Sequence, residues 1–226
     1  MRAPTIGLFL ATAFAVGAHA GEAPIVVELF TSQGCSSCPP ADAFLTDLAQ
    51  KRTDVLPLAF HVTYWDYLGW KDPYSLDAAT TRQREYARHL GEDGIYTPQM
   101  VVDGATGFVG SSRPAGLAAI AAATHKPVAV NLARDGQNLL VTVGAGSGQG
   151  RVLLVGFDRS HQTPIGRGEN GGRTLTESNI VRSLTAIGAW SGAAMALHSP
   201  VPAGEGFAVL LQAEGGRIIG AARLPS

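Results

Sequence analysis

Ile25-Val26-Val27-Glu28-Leu29-Phe30-Thr31-Ser32-Gln33-Gly34-Cys35-Ser36-Ser37-Cys38-Pro39-Pro40-Ala41-Asp42 is the stretch on which the fold turns. Residues 25–30 form an apolar run of strand length, rich in β-branched side chains. Thr31 to Gly34 make a loop. Pro39 and Pro40 suit the first turn of a helix, where a backbone N–H has no partner to lose. Ala43, Phe44, Leu45, Leu48 and Ala49 then give one apolar face, so the helix is expected to reach about Lys51. Cys35 and Cys38 thus sit at a strand-to-helix junction. They are the only two cysteines in 226 residues. A stapling disulfide acts by restricting the unfolded chain, and its gain grows with loop length. A bridge over two intervening residues gains little that way. Reversible redox chemistry or metal binding explains the pair better.

Upstream, Arg2, an apolar run from Ile6 to Val16 and then Ala18-His19-Ala20 have the layout of a signal peptide over residues 1–20, with cleavage after Ala20. The run is too short for a membrane span, and no later stretch reaches the ~20 apolar residues a span needs. The expected location is periplasmic or secreted, an oxidising space in which the pair can exist as a disulfide. With 46% hydrophobic and 15% charged residues, the composition is that of a folded globular chain. A net charge of -1 leaves no basic footprint, so neither nucleic acid nor an anionic membrane surface is expected as a partner.

Further along, strands are expected at 55–64 and 95–103, the latter ending in the turn Asp103-Gly104 with a hairpin partner at 107–110. Helices are expected at 75–90, with Ser75 as N-cap and Gly91 as stop, and at 113–124. After Pro127 the character changes. Strands are expected at 128–133, 139–143, 151–157, 180–187, 206–213 and 217–223, around a polar, Gly-rich stretch at 158–173. The expected fold is an α/β unit over 21–126, a central mixed sheet flanked by helices, followed by a smaller, all-β, sandwich-like module over 127–226.

A strand, a Cys-x-x-Cys at a helix start and then βαββα is the order of the thioredoxin fold, and residues 24–125 resemble it. More narrowly, the run from Phe30 to Asp42, together with Tyr64-Trp65-Asp66 and Arg167-Gly168-Glu169-Asn170-Gly171, resembles a family of secreted bacterial thioredoxin-like proteins known only as a domain of unknown function. That narrower resemblance covers most of the mature chain. It implies that Cys35-Ser36-Ser37-Cys38 is a redox motif. It also implies that Thr97-Pro98 is a cis-proline segment against the disulfide, presenting backbone to an extended substrate and keeping metal off the thiols. Glu28 resembles the buried acid that relays protons to the resolving cysteine, given one inserted residue in the loop. An edge position or an ion pair is the other reading of Glu28, since a carboxylate in a doubly covered strand needs a partner.

Cys35, expected to face solvent at a helix N-terminus, is the candidate attacking thiol. Free N–H groups and the dipole would lower its pKa there. Cys38, one turn in, is the candidate resolving thiol. His61 reads as a core histidine. Tyr64, Trp65, Tyr67 and Trp70 read as packing or as a lip that holds a partner, with Thr97, Tyr64 and Trp65 as candidate substrate contacts. Asp66 and Asp72 are expected to be solvated or capping. Arg167, Glu169 and Asn170 form either an ion-paired turn or a second site. His161 and His198 lack metal-ligand spacing.

These residues point to an exported thiol–disulfide oxidoreductase acting on protein or small-molecule thiols. Its expected cofactor is none beyond the Cys35–Cys38 disulfide, and its redox partner is not named by the chain. Two alternatives stand beside it: a carrier of Cu(I) or another soft metal through the same two thiolates, and a non-catalytic binding module that uses the β-rich part.

Overall fold

The computed structural model describes residues 23–124 and 126–225, so the expected leader at 1–20 lies outside the described residues. The first half runs β1 (Ile25–Thr31), α1 (Pro39–Lys51), β2 (Val55–His61), α2 (Asp77–Leu90), β3 (Gln99–Val102), β4 (Thr106–Val109) and α3 (Arg113–Ala122). The second half has strands only among the described residues: β5 (Val130–Asp135), β6 (Asn138–Val143), β7 (Gly150–Pro164), β8 (Thr174–Trp190), β9 (Met195–Pro200), β10 (Gly206–Ala213) and β11 (Ile218–Arg223). Two prolines open α1, and Gly91 closes α2 in the left-handed conformation at φ 69°, which glycine adopts without a Cβ clash. The N-cap of α2 is Leu76, not Ser75. The Ser75 hydroxyl is instead taken by the Asp66 carboxylate at 2.6 Å.

An eight-stranded mixed sheet, in the order β11-β10-β7-β8-β2-β1-β3-β4, forms the centre, and a three-stranded sheet, β5-β6-β9, accompanies it. β1 and β2 pair in parallel over their full length, as a crossover through α1 requires. The helices cover both faces. Val27 and Leu29 pack with Phe44, Leu45 and Leu48 of α1 and Ile120 of α3. Val26 and Phe30, on the other face, pack with Ala79 and Tyr86 of α2. The small sheet lies over the far end of the large one, where Val130, Leu139 and Val141 meet Val152, Val209 and Leu211.

The boundary expected at 126/127 marks where the helices end, and both sheet and core run across it. β8 joins β2 in parallel at Ala59 and Ile180, and the core under α2 mixes Leu58 and Phe60 with Leu153, Val155, Ala208 and Leu210. Two strands are much longer than their apolar runs announced. β7 and β8 pair from Gly150 and Trp190 out to Pro164 and Thr174, through residues that are largely exposed toward the tip. β9 is a further strand; Met195 and Leu197 are half-buried and alternate with exposed residues, too short an apolar pattern to announce it.

Glu28 is fully buried on the α2 face of β1. Its carboxylate accepts from Arg82 Nε at 2.5 Å and Nη2 at 3.0 Å, and from the Tyr86 hydroxyl. Arg82 also donates to Gln212 Oε1 of β10 at 3.0 Å, so this ion pair ties the two halves together. Of the two readings of Glu28, the ion pair is the one its contacts describe. Glu28→Ala leaves the Arg82 guanidinium, only 3% exposed, without its counter-charge. The expected loss is about 3–5 kcal/mol of unfolding free energy in urea, and Glu28→Ala with Arg82→Met should recover part of it.

Candidate functional site

Cys38 is the N-cap of α1, and Cys35 lies one turn before it. The two are joined as a disulfide with their Cα atoms 5.4 Å apart. Both are fully buried, while Ser36 and Ser37 between them are exposed. Cys35 does not face solvent as expected but is fully buried, and a distant part of the chain is bonded to the main chain around it. Asn170, in the turn between β7 and β8, donates from Nδ2 to the carbonyls of Gln33 and Cys35, each at 2.9 Å. The neighbouring Glu169 accepts from the Ser36 N–H at 3.1 Å.

The helix start supplies fewer donors than a generic N-terminus. Pro39 and Pro40 have no N–H, the Cys38 N–H is taken by the Cys35 carbonyl at 3.2 Å, and that of Ala41 by Cys38 at 2.8 Å. The hydroxyl of Ser37 stands 3.4 Å from Cys35 Sγ and is the side-chain donor within reach of that sulfur. A Cys35 thiolate would therefore depend on Ser37 and the helix dipole more than on free amides.

The Thr97–Pro98 bond is cis and Pro98 is buried. Two contacts bring this segment to the cysteine loop. Trp65 donates from Nε1 to Thr97 Oγ1 at 2.8 Å while its Cβ crowds Gly34, and a Cβ at Gly110 would lie 3.3 Å from those of both Pro98 and Ala41. Trp65 and Tyr64 are half-buried and act as braces, with the Tyr64 hydroxyl donating to Gln83 at 3.2 Å. The exposed members of this stretch are Tyr67 at 77% and Leu68 at 48%.

Behind the cysteine loop lies a buried ionisable cluster. Asp42, one turn after Cys38, accepts from Thr31 Oγ1 at 2.7 Å. His61 Nδ1 pairs with Asp72 Oδ2 at 2.7 Å, and that oxygen also accepts the Gln33 N–H at 2.8 Å. Gln33 Nε2 donates to Glu177 Oε2 at 2.7 Å, and Trp70 Nε1 donates to Gln33 Oε1 at 3.0 Å. His61 Nε2 and Glu177 Oε1 are 3.7 Å apart and neither has a hydrogen-bond partner. Burial disfavours charge on His61, but the carboxylates of Asp72 and Glu177 outweigh it and raise its pKa to about 9. Burial and the nearby Glu177 push Asp42 up to about 8, against the Thr31 hydrogen bond. Burial likewise raises Glu177, with His61 opposing. Asp72 goes the other way. Burial would raise it, yet the His61 charge and hydrogen bond prevail and hold it below the ordinary carboxylate range.

Asp72 is therefore a buried ion-pair partner, not the solvated or capping residue expected. Asp66 does cap, accepting from the Asp72 N–H at 3.2 Å. Asp42 carries a legible signal in hindsight. It stands three residues before Leu45, on the stripe that the apolar residues of α1 mark as buried. Glu177 carries no local signal, reaching the site from 144 residues away, while Asn170 and Glu169, read as an ion-paired turn or a second site, bond to the cysteine loop itself. His161 pairs with Asp158 at 2.9 Å and His198 with Asp135 at 3.1 Å. Among the described residues, no group of three or more His, Cys, Asp or Glu is arranged to hold a metal ion, and no helix is long and apolar enough to cross a membrane.

Residues 26–212 match the model of a family described as a protein of unknown function, DUF1223, and the chain belongs to that family. A crystal structure of a structural-genomics target protein from Agrobacterium tumefaciens is 34% identical, with a TM-score of 0.80 over 90% of this chain and 95% of that one. HBP35 of Porphyromonas gingivalis shares the fold at 15% identity, with a TM-score of 0.62 over 90% of this chain and 75% of that one. No curated protein matches the chain.

The buried cluster sets a pH dependence of stability. His61 rises from 6.5 to about 9 and Asp42 from 3.8 to about 8, so the folded protein holds more protons than the unfolded chain within those windows. Their contributions are complete below the unfolded values and are lost as pH rises through the folded ones. The melting temperature should fall between pH 6.5 and 9, each proton contributing at most about 1.4 kcal/mol per pH unit. Asp42→Asn should flatten the part of that fall below pH 8. A melting temperature flat across this range in the parent protein would contradict the assignment.

Proposed function

We propose that this DUF1223 member is an exported thiol–disulfide oxidoreductase, periplasmic or secreted, whose 21–126 half is a thioredoxin-like catalytic unit. The observation that carries the reading is the Cys35–Cys38 bridge itself. It joins the chain's only two cysteines across a sequence separation of three, at the N-cap of α1. So short a loop adds little to stability through the unfolded state, which leaves chemistry as its use. Support also comes from the convergence of Thr97-Pro98, Trp65 and the 165–173 turn on this one loop. In this reading the disulfide is the only redox group and no separate cofactor is needed.

The exchange runs as follows. A partner thiolate attacks Cys35 Sγ, the Cys35–Cys38 bond breaks, and Cys38 leaves as a thiolate. A second thiolate of the partner attacks its own sulfur in the mixed disulfide and releases Cys35. The partner dithiol becomes a disulfide, and the protein gains two electrons and two protons. The reverse sequence reduces a partner disulfide and re-forms the Cys35–Cys38 bridge. Cys38, buried beside the first turn of α1, is the resolving thiol, and Asp42 is the buried carboxyl on the same helix available to exchange its proton.

Cys38→Ser should accumulate mixed disulfides with a disulfide substrate, its Cys35 thiolate displacing one substrate sulfur as thiolate with no second cysteine to resolve the bond, whereas Cys35→Ser should not. Equal trapping by both variants would reverse or void the assigned roles. Ser37→Ala removes the hydroxyl next to Cys35 Sγ and should raise the Cys35 thiol pKa by up to about one unit, read from the pH dependence of alkylation of the reduced protein. A bridge that resists reductants until the chain unfolds would identify it as structural and end the redox reading.

A further inference from the structure

The proposed exchange needs a partner to reach Cys35 Sγ, and Cys35 is fully buried. The element bonded to the main chain around it is small. Residues 165–173 are the tip of the long β7–β8 hairpin, and only Ile165 and Asn170 among them are buried. The tip is closed on itself. Ile165 N–H donates to Arg173 O at 2.8 Å, Gly172 N–H to Ile165 O at 2.8 Å, and Arg173 Nη1 to Asn170 Oδ1 at 3.0 Å. Gly168 and Gly172 hold φ of 78° and 81°, values that a side chain would resist. A folded turn at the end of a two-stranded arm can therefore lift without losing its own shape. What holds it to the cysteine loop is a short set of contacts. They include the two Asn170 hydrogen bonds to Gln33 O and Cys35 O, the Glu169 contact to Ser36 N–H, and the packing of Gly166 and Gly168 against Trp70 and the Leu68–Gly69 backbone.

We propose that the 165–173 tip is a removable cover over the disulfide, with Asn170 as its latch, and that a polypeptide partner opens it by taking over the latch's hydrogen bonds. This rests on the redox reading of Cys35 and Cys38 and adds what controls access to them. Lifting the tip frees the Gln33 carbonyl and the Ser36 N–H and leaves the Cys35 carbonyl with the Cys38 N–H alone. Those are main-chain groups that an extended polypeptide backbone satisfies and a small thiol does not. The cover thus disfavours small thiols and favours partners that bring a backbone with their cysteine. Apart from the Gln33 carbonyl and the Ser36 N–H, the groups the tip leaves behind keep partners of their own. Gln33 keeps its bonds to Asp72, Glu177 and Trp70, so the loop stays placed when the tip moves.

The test is the rate at which the oxidised protein is reduced by dithiothreitol and by a reduced, unstructured cysteine-containing peptide. Asn170→Ala should speed reduction by dithiothreitol about tenfold, because two hydrogen bonds that hold the cover shut are gone. It should speed the peptide reaction much less, since the peptide already replaces those bonds. Glu169→Gln, at an exposed position, keeps the fold and should give a smaller increase in the same direction. In the wild type, amide hydrogens of 165–173 and of Ser36 should exchange through local opening, faster than those of Val155 and Val181 in the hairpin's core. A wild type that reacts at the same rate as both variants overturns the cover and leaves the redox reading standing. So does equal protection of the tip and the hairpin core. Equal gains for dithiothreitol and peptide overturn the partner's part in opening it. A disulfide that reacts in none of the three proteins before unfolding overturns the cover and the redox reading together.

Discussion

Gln33 has every hydrogen-bonding group occupied, and the site depends on that. Its main-chain N–H goes to Asp72, its carbonyl accepts from Asn170, its side-chain amide donates to Glu177 and its side-chain oxygen accepts from Trp70. The residue is fully buried, so none of these groups has water as an alternative. An unmet buried polar group costs about 1–3 kcal/mol, which makes the set cooperative: each partner is needed where it stands. Two of the partners come from the loop after β2, and two come from the β7–β8 hairpin. The loop that carries Cys35 and Cys38 is thereby clamped between distant parts of one chain.

The same economy of partners explains the sheet. β7 and β8 are long because their outer ends have a destination. The hairpin leaves the large sheet near the Ala59–Ile180 junction and continues until its tip lies on the cysteine loop. Glu177, near that tip, points into the buried cluster, and Asn170, in the turn, reaches the cysteine loop. The Glu28–Arg82–Gln212 contact plays a comparable part on the opposite face, where the only buried charge pair of β1 is met by residues from α2 and β10. Both faces of the first sheet strands therefore rely on the second half of the chain.

Charge at the site is arranged in two layers. At the surface, Glu169 stands over the Ser36 N–H, and its pKa is lowered by those Ser36 hydrogen bonds. Beneath, burial first and the neighbouring carboxylates second raise Asp42, to about 8, and burial raises Glu177 against the pull of His61. The disulfide is shielded from solvent, one turn before Asp42, the carboxyl that burial pushes up.

Local pattern was enough for β1, α1 and their junction, because apolar periodicity, tandem prolines and the spacing of Cys35 and Cys38 are all short-range signals. It was enough also for the β5–β6 hairpin and for the turn at Asp103-Gly104. It did not reveal that Cys35 is buried, since what bonds to the main chain around it is an exposed-looking, Gly-rich stretch with no periodicity. It left Glu28 between two readings, because a buried carboxylate announces a need for a partner without saying which. Nor did it separate Asp72, which is buried, from Asp66, which caps, as both sit in the same polar loop. These outcomes rest on pairings from 6 residues, for Asp66 with Asp72, to 144, for Gln33 with Glu177, set by where the loops, sheet and hairpin bring the chain back to itself. Sequence pattern determined which segments bury an apolar face; tertiary packing alone decided which polar groups were trapped together, and so what surrounds the two sulfurs.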